Sequence, residues 1–112
     1  MLQLKPLTEF FTAIDSDPRI NTTHITLYMG LLKFWFDQDC KNPVYVYRWQ
    51  VMQLCKISGN ATYHKCIQEL NNYGYIKYSP SYNRTRKSLI YLLDIEINIT
   101  RHIFQATVYE FT

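Results

Sequence analysis

The sequence predicts a helix-rich α+β domain in which two short helices around a tight turn are followed by a β-hairpin. Three observations lead to this prediction. Apolar residues recur at helical spacing between residues 61 and 73, a shorter helical pattern precedes them, and two apolar runs separated by a polar, basic segment follow them. The 112 residues are a common size for one domain and can bury a single core.

The first third of the chain has the pattern of a scaffold. Residues 7–14 carry apolar side chains at helical spacing and predict a short amphipathic helix, which the turn-forming residues 15–19 end. Thr22 or Thr23 can cap a second helix, which runs to about Asp37 and is apolar on so many sides that we expect it to be mostly buried. The aromatic side chains of these helices are expected to form core or a dimer interface, with a ligand pocket as the alternative; they are Phe10, Phe11, Trp35 and Phe36.

A short strand and a short helix are expected in the middle of the chain. Asn42 and Pro43 end a turn, and the β-branched and aromatic residues 44–47 then predict a strand. Residues 47–56 predict a helix, which is joined to the next one by a turn that contains Gly59, the arrangement of a helix-turn-helix unit. The apolar residues at helical spacing in this shorter helix are Val51, Leu54 and Cys55.

The helix between residues 61 and 73 divides into two sides. One side is apolar and is expected to hold the fold through Tyr63, Cys66, Ile67, Leu70 and Tyr73. The other side is polar and presents Thr62, Lys65, Gln68 and Glu69, with His64 at the border. Ser58 or Asn60 can cap the start of this helix. Gly74 suits its stop, because only glycine adopts a left-handed backbone at little cost.

A β-hairpin with a long basic tip is expected after the helix-turn-helix. Residues 75–78 and 89–93 have the composition of its strands, and the polar residues between them are typical of a turn. Apolar side chains go on alternating beyond the hairpin, which predicts a longer strand that needs pairing. We therefore divide the chain into an N-terminal helix and linker (1–20), a helix-turn-helix and hairpin domain (21–95), and a C-terminal extension (96–112) that packs on the domain or on a partner subunit.

The net charge of +3 conceals an asymmetry along the chain. Residues 41–90 contain eight basic residues and one acidic residue, Glu69, whereas the rest of the chain contains four basic and eight acidic residues. The basic segment is the one that predicts the helix-turn-helix and hairpin. Basic side chains gain affinity for nucleic acids by displacing counterions from phosphates, so this coincidence favours a DNA partner over a solvated surface.

The stretch ATYHKCIQEL at residues 61–70, followed by Gly74 and Ile76, resembles the recognition segment of bacterial winged-helix regulators of the GntR type. The longer span 21–93 is similar to small winged-helix proteins of mobile elements and to the N-terminal domains of phage replication organisers. Residues 23–28, 41–43 and 61–64 carry this second resemblance, which covers about two thirds of the chain. The resemblance implies a winged helix-turn-helix with an extra N-terminal helix and a C-terminal extension.

The resemblance implies sequence-specific binding of double-stranded DNA by the recognition helix and a basic wing, in a bacterial transcriptional regulator. In the recognition helix we expect His64, Lys65 and Gln68 to read bases, because residues near a helix N-terminus reach deepest into the major groove. Three further groups are expected to contact DNA. Asn60 and Thr62 at the helix start meet phosphates or base edges, and Arg48 and Lys56 anchor phosphates beside the helix-turn-helix. In the wing, the residues that contact the minor groove or the backbone are Arg84, Arg86 and Lys87.

Two other classes of function stay open at the level of sequence. One is an accessory factor for replication or mobilisation of a phage or mobile element, which binds DNA without regulating a promoter. The other is a winged-helix module for protein–protein interaction. A homodimer could form through the N-terminal helix or the C-terminal extension. Ligand-gated regulation is not expected, because no effector domain is evident.

Catalysis, cofactors, metals and membranes find no support in the sequence. The three cysteines form no Cys-x-x-Cys pair, the histidines lie in no acid–nucleophile pattern, and the three glycines form no phosphate-binding loop. We therefore expect no enzyme, no cofactor and no metal site, with Cys55 and Cys66 as small core residues. No apolar run approaches the roughly 18 residues of a membrane span, and no signal-peptide pattern is present, so we expect a cytoplasmic protein.

Overall fold

The computed structural model describes residues 5–81 and 86–93. In this part of the chain the elements are α1 (Lys5–Asp15), α2 (Thr22–Asp37), β1 (Val44–Val46), α3 (Arg48–Cys55), α4 (Asn60–Asn72), β2 (Ile76–Ser79) and β3 (Ser88–Leu92). The predicted α+β class and the predicted order of helices and strands are confirmed. The predictions for Arg84 and for residues 96–112 lie outside the described residues.

The three strands form one antiparallel sheet in the order β1–β3–β2. Val44 pairs with Ile90 on one side of β3, and Ile76 pairs with Leu92 on the other. The side chain of Asn42 adds a further contact beyond the end of β1. Its Nδ2 donates to the carbonyl oxygen of Leu92 at 2.8 Å, and its Oδ1 accepts from the Leu92 N–H at 3.0 Å.

The buried side chains of β3 are Ser88, Ile90 and Leu92, while Leu89 and Tyr91 are half-buried. Successive side chains of a strand point to opposite faces, so the sheet has one face on the core and one face that is partly open. Helix α2 lies across the core side and contacts α1, α3, α4 and β1.

The start of α2 corrects one sequence prediction. Neither Thr22 nor Thr23 is the cap. Asn21 is the cap, and its side chain accepts from the His24 N–H at 3.1 Å. In return, Nδ1 of His24 accepts from the Asn21 N–H at 3.0 Å, so a histidine takes the reciprocal place that glutamate or glutamine usually has in a capping box.

The predicted caps of α4 are also wrong. Gly59 is the N-cap residue and no side chain caps it, because Asn60 is already the first helical residue and Ser58 lies one position too early. The tight turn depends on Lys56, whose φ of 61° is left-handed, whereas Gly59 has an extended backbone with φ of −96°. The prediction for Gly74 is confirmed, since its φ is 90° just after the helix ends.

The aromatic residues of the first two helices have separate environments. Phe10 is fully buried and its ring stacks on Tyr28 with centroids 4.0 Å apart, so it belongs to the core as expected. Phe11 and Phe36 are exposed and Trp35 is half-buried, so the four aromatic residues do not line one common ligand pocket.

Helices α2 and α3 approach closely at Gly30. A Cβ atom added at Gly30 would lie only 2.4 Å from Sγ of Cys55, which is far inside van der Waals contact. Glycine is therefore required at this position by the packing of α3, although its backbone is helical. The Cys55 thiol also donates to the carbonyl oxygen of Thr26 at 3.5 Å, so α3 is held to α2 by packing and by a weak hydrogen bond.

Candidate nucleic-acid interface

Helix α4 has one buried side and one solvent side, as its sequence predicts. Its buried residues are Tyr63, Cys66, Ile67 and Leu70, and the helix packs with them against α2 and β2. The residues predicted to meet DNA at its start and along its outer side are all exposed; they are Asn60, Thr62, His64, Lys65 and Gln68. The arrangement leaves a continuous polar face on α4.

Glu69 does not belong to that polar face, which corrects the sequence-based assignment. Its Oε1 accepts from Nε2 of the buried His24 at 3.2 Å, and its Oε2 accepts from the Tyr73 hydroxyl at 3.0 Å. The hydrogen bond from Tyr73 lowers the pKa of the Glu69 carboxyl, with a smaller contribution from His24. The one acidic residue between positions 41 and 90 is thus held against the α2 side of the domain.

Arg48 and His64 bring the starts of α3 and α4 together. Nη1 of Arg48 lies 3.2 Å from Nε2 of His64, and both side chains are exposed. A guanidinium can only donate, so Nε2 of His64 is the acceptor and its ring proton lies on Nδ1. His64 thereby offers a hydrogen-bond donor to an outside group, while Arg48 keeps donors to spare.

The basic residues around α4 are not neutralised by acidic side chains. In the described part of the chain, Arg48, Lys56 and Lys65 form no ion pair. The three basic residues of the N-terminal region each have a carboxylate partner: Lys5 pairs with Glu9, Arg19 with Asp17, and Lys33 with Asp37. Among the described residues, the exposed basic side chains without a carboxylate partner therefore all lie beyond residue 40, and three of them, Arg48, Lys56 and Lys65, lie on or beside α3 and α4.

The start of α4 also presents backbone donors. Because no side chain caps Gly59, the N–H groups of the first turn of α4 have no side-chain acceptor there. These groups carry the positive end of the helix dipole, which attracts phosphate oxygens. Asn60 and Thr62 are exposed at the same place, so the helix start has both side-chain and backbone groups for a phosphate.

The hairpin places its described basic residues in two positions. Arg86 and Lys87 are both exposed just before β3. Nζ of Lys87 lies 5.5 Å from the ring centroid of Tyr47, within cation–π range, so this lysine sits beside the start of α3. Lys77 makes a longer contact of the same kind with Tyr91 at 6.0 Å.

Two aromatic residues at the start of α3 are absent from the sequence-based site. Trp49 is 61% exposed, and its ring lies 6.0 Å from that of Tyr47 with the two planes inclined by 16°. The spacing of Val51 and Cys55 defines the buried side of α3 and puts Trp49 on the other side. This spacing could have predicted from the sequence that Trp49 is exposed. Leu54 is likewise exposed, so its assignment to the apolar side of this helix was wrong.

Tyr63 is fully buried, so its hydroxyl does not reach the surface of α4. No described side-chain or backbone atom accepts a hydrogen bond from it. Burial raises the pKa of the Tyr63 hydroxyl, which keeps this group neutral. Tyr63 therefore supports α4 by packing, and DNA contact by its hydroxyl is not available in this arrangement.

One cluster resembles the ligand set of a metal ion. His24, Cys66 and Glu69 bring a ring nitrogen, a thiol and a carboxylate oxygen within 4.8 Å of one another, a convergence that sequence spacing did not predict. The hydrogen bonds oppose coordination. Nδ1 of His24 accepts a backbone N–H, so the ring proton lies on Nε2, whereas a metal-bound imidazole leaves one nitrogen free for the metal and donates with the other.

The thiol of this cluster is also in the wrong protonation state for a metal ligand. Burial raises the pKa of Cys66, and the nearby Glu69 carboxylate raises it further. Thiols bind metals as thiolates, so both the histidine tautomer and the thiol would have to change. The set does not fit a metal, and its hydrogen bonds join α2 to α4 instead.

No protein family, curated protein or solved structure matches the chain. Among the described residues, no helix combines the length and the apolar character that a membrane crossing needs.

Proposed function

We propose that the protein is a winged helix-turn-helix protein that binds double-stranded DNA in a sequence-specific manner and regulates transcription in a bacterium. The order of four helices and a three-stranded antiparallel sheet is compatible with this fold, in which α3 and α4 form the helix-turn-helix and the β2–β3 hairpin forms the wing. Helix α4 is the recognition helix of the proposal and enters the major groove.

The observation that carries the proposal is the exposed and un-neutralised positive charge around α4. Arg48, Lys56 and Lys65 form no described ion pair, and the one acidic residue of the segment, Glu69, is hydrogen-bonded to His24 and Tyr73. A surface built to be neutral in isolation would pair these charges. A surface that meets phosphates gains affinity by releasing counterions instead, which explains the imbalance.

The proposal gives each residue of the interface a role that suits the chemistry of its side chain. Gln68 matches an adenine edge, Lys65 matches guanine or phosphate, and His64 offers its Nδ1 proton to an acceptor. Asn60, Thr62 and the uncapped N–H groups of α4 bind phosphate. Arg48 and Lys56 anchor the backbone beside the helix-turn-helix, while Arg84, Arg86 and Lys87 contact the backbone or minor groove from the wing.

The first experiment is a selection of bound fragments from genomic DNA, followed by affinity measurements on a recovered site and on random duplex. Recovery of promoter fragments supports regulation. Recovery of an origin or a transfer site would instead support the accessory factor in replication or mobilisation. Wild-type protein that fails to retain any duplex at low salt would overturn the proposal.

Substitutions then test the assigned roles. Replacing Lys65 and Gln68 with alanine is expected to weaken binding to the recovered site about tenfold or more, and binding to random duplex much less. Lys33→Ala is the matched control, because Lys33 is also an exposed helical lysine but pairs with Asp37; its affinity should stay within about twofold. Replacing Arg84 and Arg86 should weaken binding to all duplexes. It should also reduce the steepness of the plot of log binding constant against log salt concentration by roughly one for each lost phosphate contact.

A further inference from the structure

Trp49 is the most exposed of the large apolar side chains in the described part of the chain. It is the second residue of α3, at the edge of the surface formed by Arg48 and α4. An indole buries a large apolar area when it finds a partner, so a surface tryptophan at a binding edge is typical of a contact residue. The DNA-binding role proposed above does not by itself use this side chain.

A neighbouring side chain of the protein contacts the Trp49 indole. The ring of Tyr47 stacks beside it, and the ammonium of Lys87 lies over Tyr47. Arg48 is the next residue to Trp49 on the chain and is held toward α4 by His64. The result is a pair of nearly parallel aromatic rings with the Lys87 ammonium over Tyr47 and Arg48 as the neighbouring residue of Trp49 in the chain. We term this group the Trp49 platform (Tyr47, Arg48, Trp49 and Lys87).

The chemistry of the platform matches a nucleotide. A base provides a flat π-face for the indole, and the attached phosphate provides the negative charge for Arg48 and Lys87. Bases inside a continuous duplex are stacked on one another and hide their faces, so only an unpaired base can stack on Trp49. An apolar protein partner would not account for the cations at the edge of the platform.

We propose that Trp49 stacks on an unpaired base, so that the protein binds duplex DNA bearing a short single-stranded segment more tightly than continuous duplex. This inference rests on the proposed function for its DNA partner and adds the state of the strand that is bound. The recognition helix contacts the duplex, and the Trp49 platform holds the first unpaired nucleotides beside it.

The test uses the fluorescence of Trp49 in a Trp35→Phe variant, which leaves one tryptophan in the chain. Circular dichroism first establishes that this variant keeps its fold. Three probes are then compared at low salt: a continuous duplex, the same duplex with a four-nucleotide overhang or internal bubble, and an oligothymidine strand. We expect quenching by the two probes with unpaired bases, and affinity for the bubble duplex at least tenfold above that for the continuous duplex.

Variants made in the otherwise wild-type chain separate stacking from general contact. Trp49→Ala is expected to reduce affinity for the bubble duplex about tenfold and to change affinity for continuous duplex less than twofold. Trp49→Phe should retain most of the preference, since a phenyl ring also stacks. Leu54→Ala is the matched control, because it removes another exposed apolar side chain from the same helix and should change neither affinity.

The outcomes distinguish this inference from the proposed function. Equal affinity for bubble and continuous duplex, or an equal loss on both with Trp49→Ala, overturns the inference and leaves duplex binding intact. Quenching by oligothymidine without any binding to continuous duplex supports stacking and overturns the proposed function. No quenching by any of the three probes overturns the inference and assigns the exposed indole to a partner other than DNA.

Discussion

Basic side chains are paired differently in two regions of the molecule. The N-terminal region consists of α1 and α2, and the C-terminal region runs from α3 to β3. In the N-terminal region each described basic side chain has a carboxylate partner, as Arg19 has in Asp17 at 2.8 Å. In the C-terminal region, Arg48, Lys56 and Lys65 have no carboxylate partner among the residues that the structure describes. The basic side chains of the N-terminal region are paired within the protein, whereas these three of the C-terminal region are left for an outside partner. That difference marks the surface on which an anionic partner would bind.

The helix starts show the same contrast. Helix α2 satisfies its first N–H groups through the reciprocal bonds of Asn21 and His24. Helix α4 begins at an uncapped glycine, Gly59. A glycine N-cap stabilises its helix less than a polar cap by only about a few tenths of a kcal/mol, so α4 leaves its first N–H groups available at little cost at the place where phosphate binding is proposed.

The largest effect on stability is expected where the two regions meet. Gly30→Ala places a Cβ against Sγ of Cys55 and should destabilise the protein by about 1–3 kcal/mol. In an exposed helix the same change would stabilise by about 1 kcal/mol, so the sign is diagnostic. Urea denaturation measures it. Cys55→Ala in the Gly30→Ala background should restore part of the loss, and a higher stability of Gly30→Ala alone would contradict the close contact.

The next effect concerns the paired charges of the N-terminal region. A hydrogen bond from Arg19, helped by one from Tyr75, lowers the pKa of Asp17 to about 2 from an ordinary value of 3.8. The ionised carboxylate thus stabilises the fold fully above about pH 4, and this stabilisation is lost as the pH falls through about 2. Its size is about 1–2 kcal/mol.

Asp17→Asn should therefore be less stable than wild type at pH 6, with a difference that shrinks between pH 4 and pH 2. Chemical denaturation across this range measures it. Asp37→Asn is the control, because Asp37 forms an exposed pair with Lys33 whose removal should change stability by less than about 0.5 kcal/mol. A constant difference between wild type and Asp17→Asn at every pH would contradict the assigned pairing.

A smaller effect tests the backbone of the C-terminal region. Lys56 ends α3 with a left-handed backbone that costs a non-glycine residue roughly 1 kcal/mol. Lys56→Gly and Lys56→Ala remove the same charge, but only glycine relieves the backbone. We expect the glycine variant to be more stable than the alanine variant by about 1 kcal/mol, and both to bind duplex DNA equally weakly. Equal stability of the two variants would argue against the left-handed turn.

The smallest effect is expected inside α4. Tyr63→Phe removes a buried hydroxyl that has no described partner, so stability should stay the same or rise by less than about 1 kcal/mol. Binding to duplex DNA should be unchanged, since Tyr63 is not part of the exposed face. Gel-shift titration of the variant tests this. A clear loss of DNA affinity with retained folding would show that the Tyr63 hydroxyl reaches the partner.

Local patterns predicted the elements of this fold well. Apolar spacing located α4 and its buried side, because a residue's face on a helix follows from its position alone. Glu69 shows the limit of that logic. Its bond to His24 spans 45 residues, and no local pattern reveals that an acidic side chain on the polar side has a buried partner. The cap of α2 was missed for a related reason, since His24 is an uncommon partner in a capping box.

The candidate site was predictable in part. The exposed polar residues of α4 follow from the same helical spacing, and their exposure agrees with it. Trp49 was missed because the prediction for α3 used the spacing of Val51, Leu54 and Cys55 and assigned no role to Trp49. Its exposure follows from the geometry of α3, whose buried residues are Val51 and Cys55, with Met52 partly buried against the core.

The Asn42 amide has a consequence for self-association. Strand β1 ends its pairing with β3 at Val44, and the side chain of Asn42 then occupies both the N–H and the carbonyl of Leu92. The side-chain amide of Asn42 therefore makes the two hydrogen bonds that the backbone of a neighbouring strand would make at this position. Because these two backbone groups of Leu92 already have partners, another chain cannot pair its own backbone with β3 at Leu92. One route to edge-to-edge aggregation is therefore blocked, although β1 itself does not extend to this position.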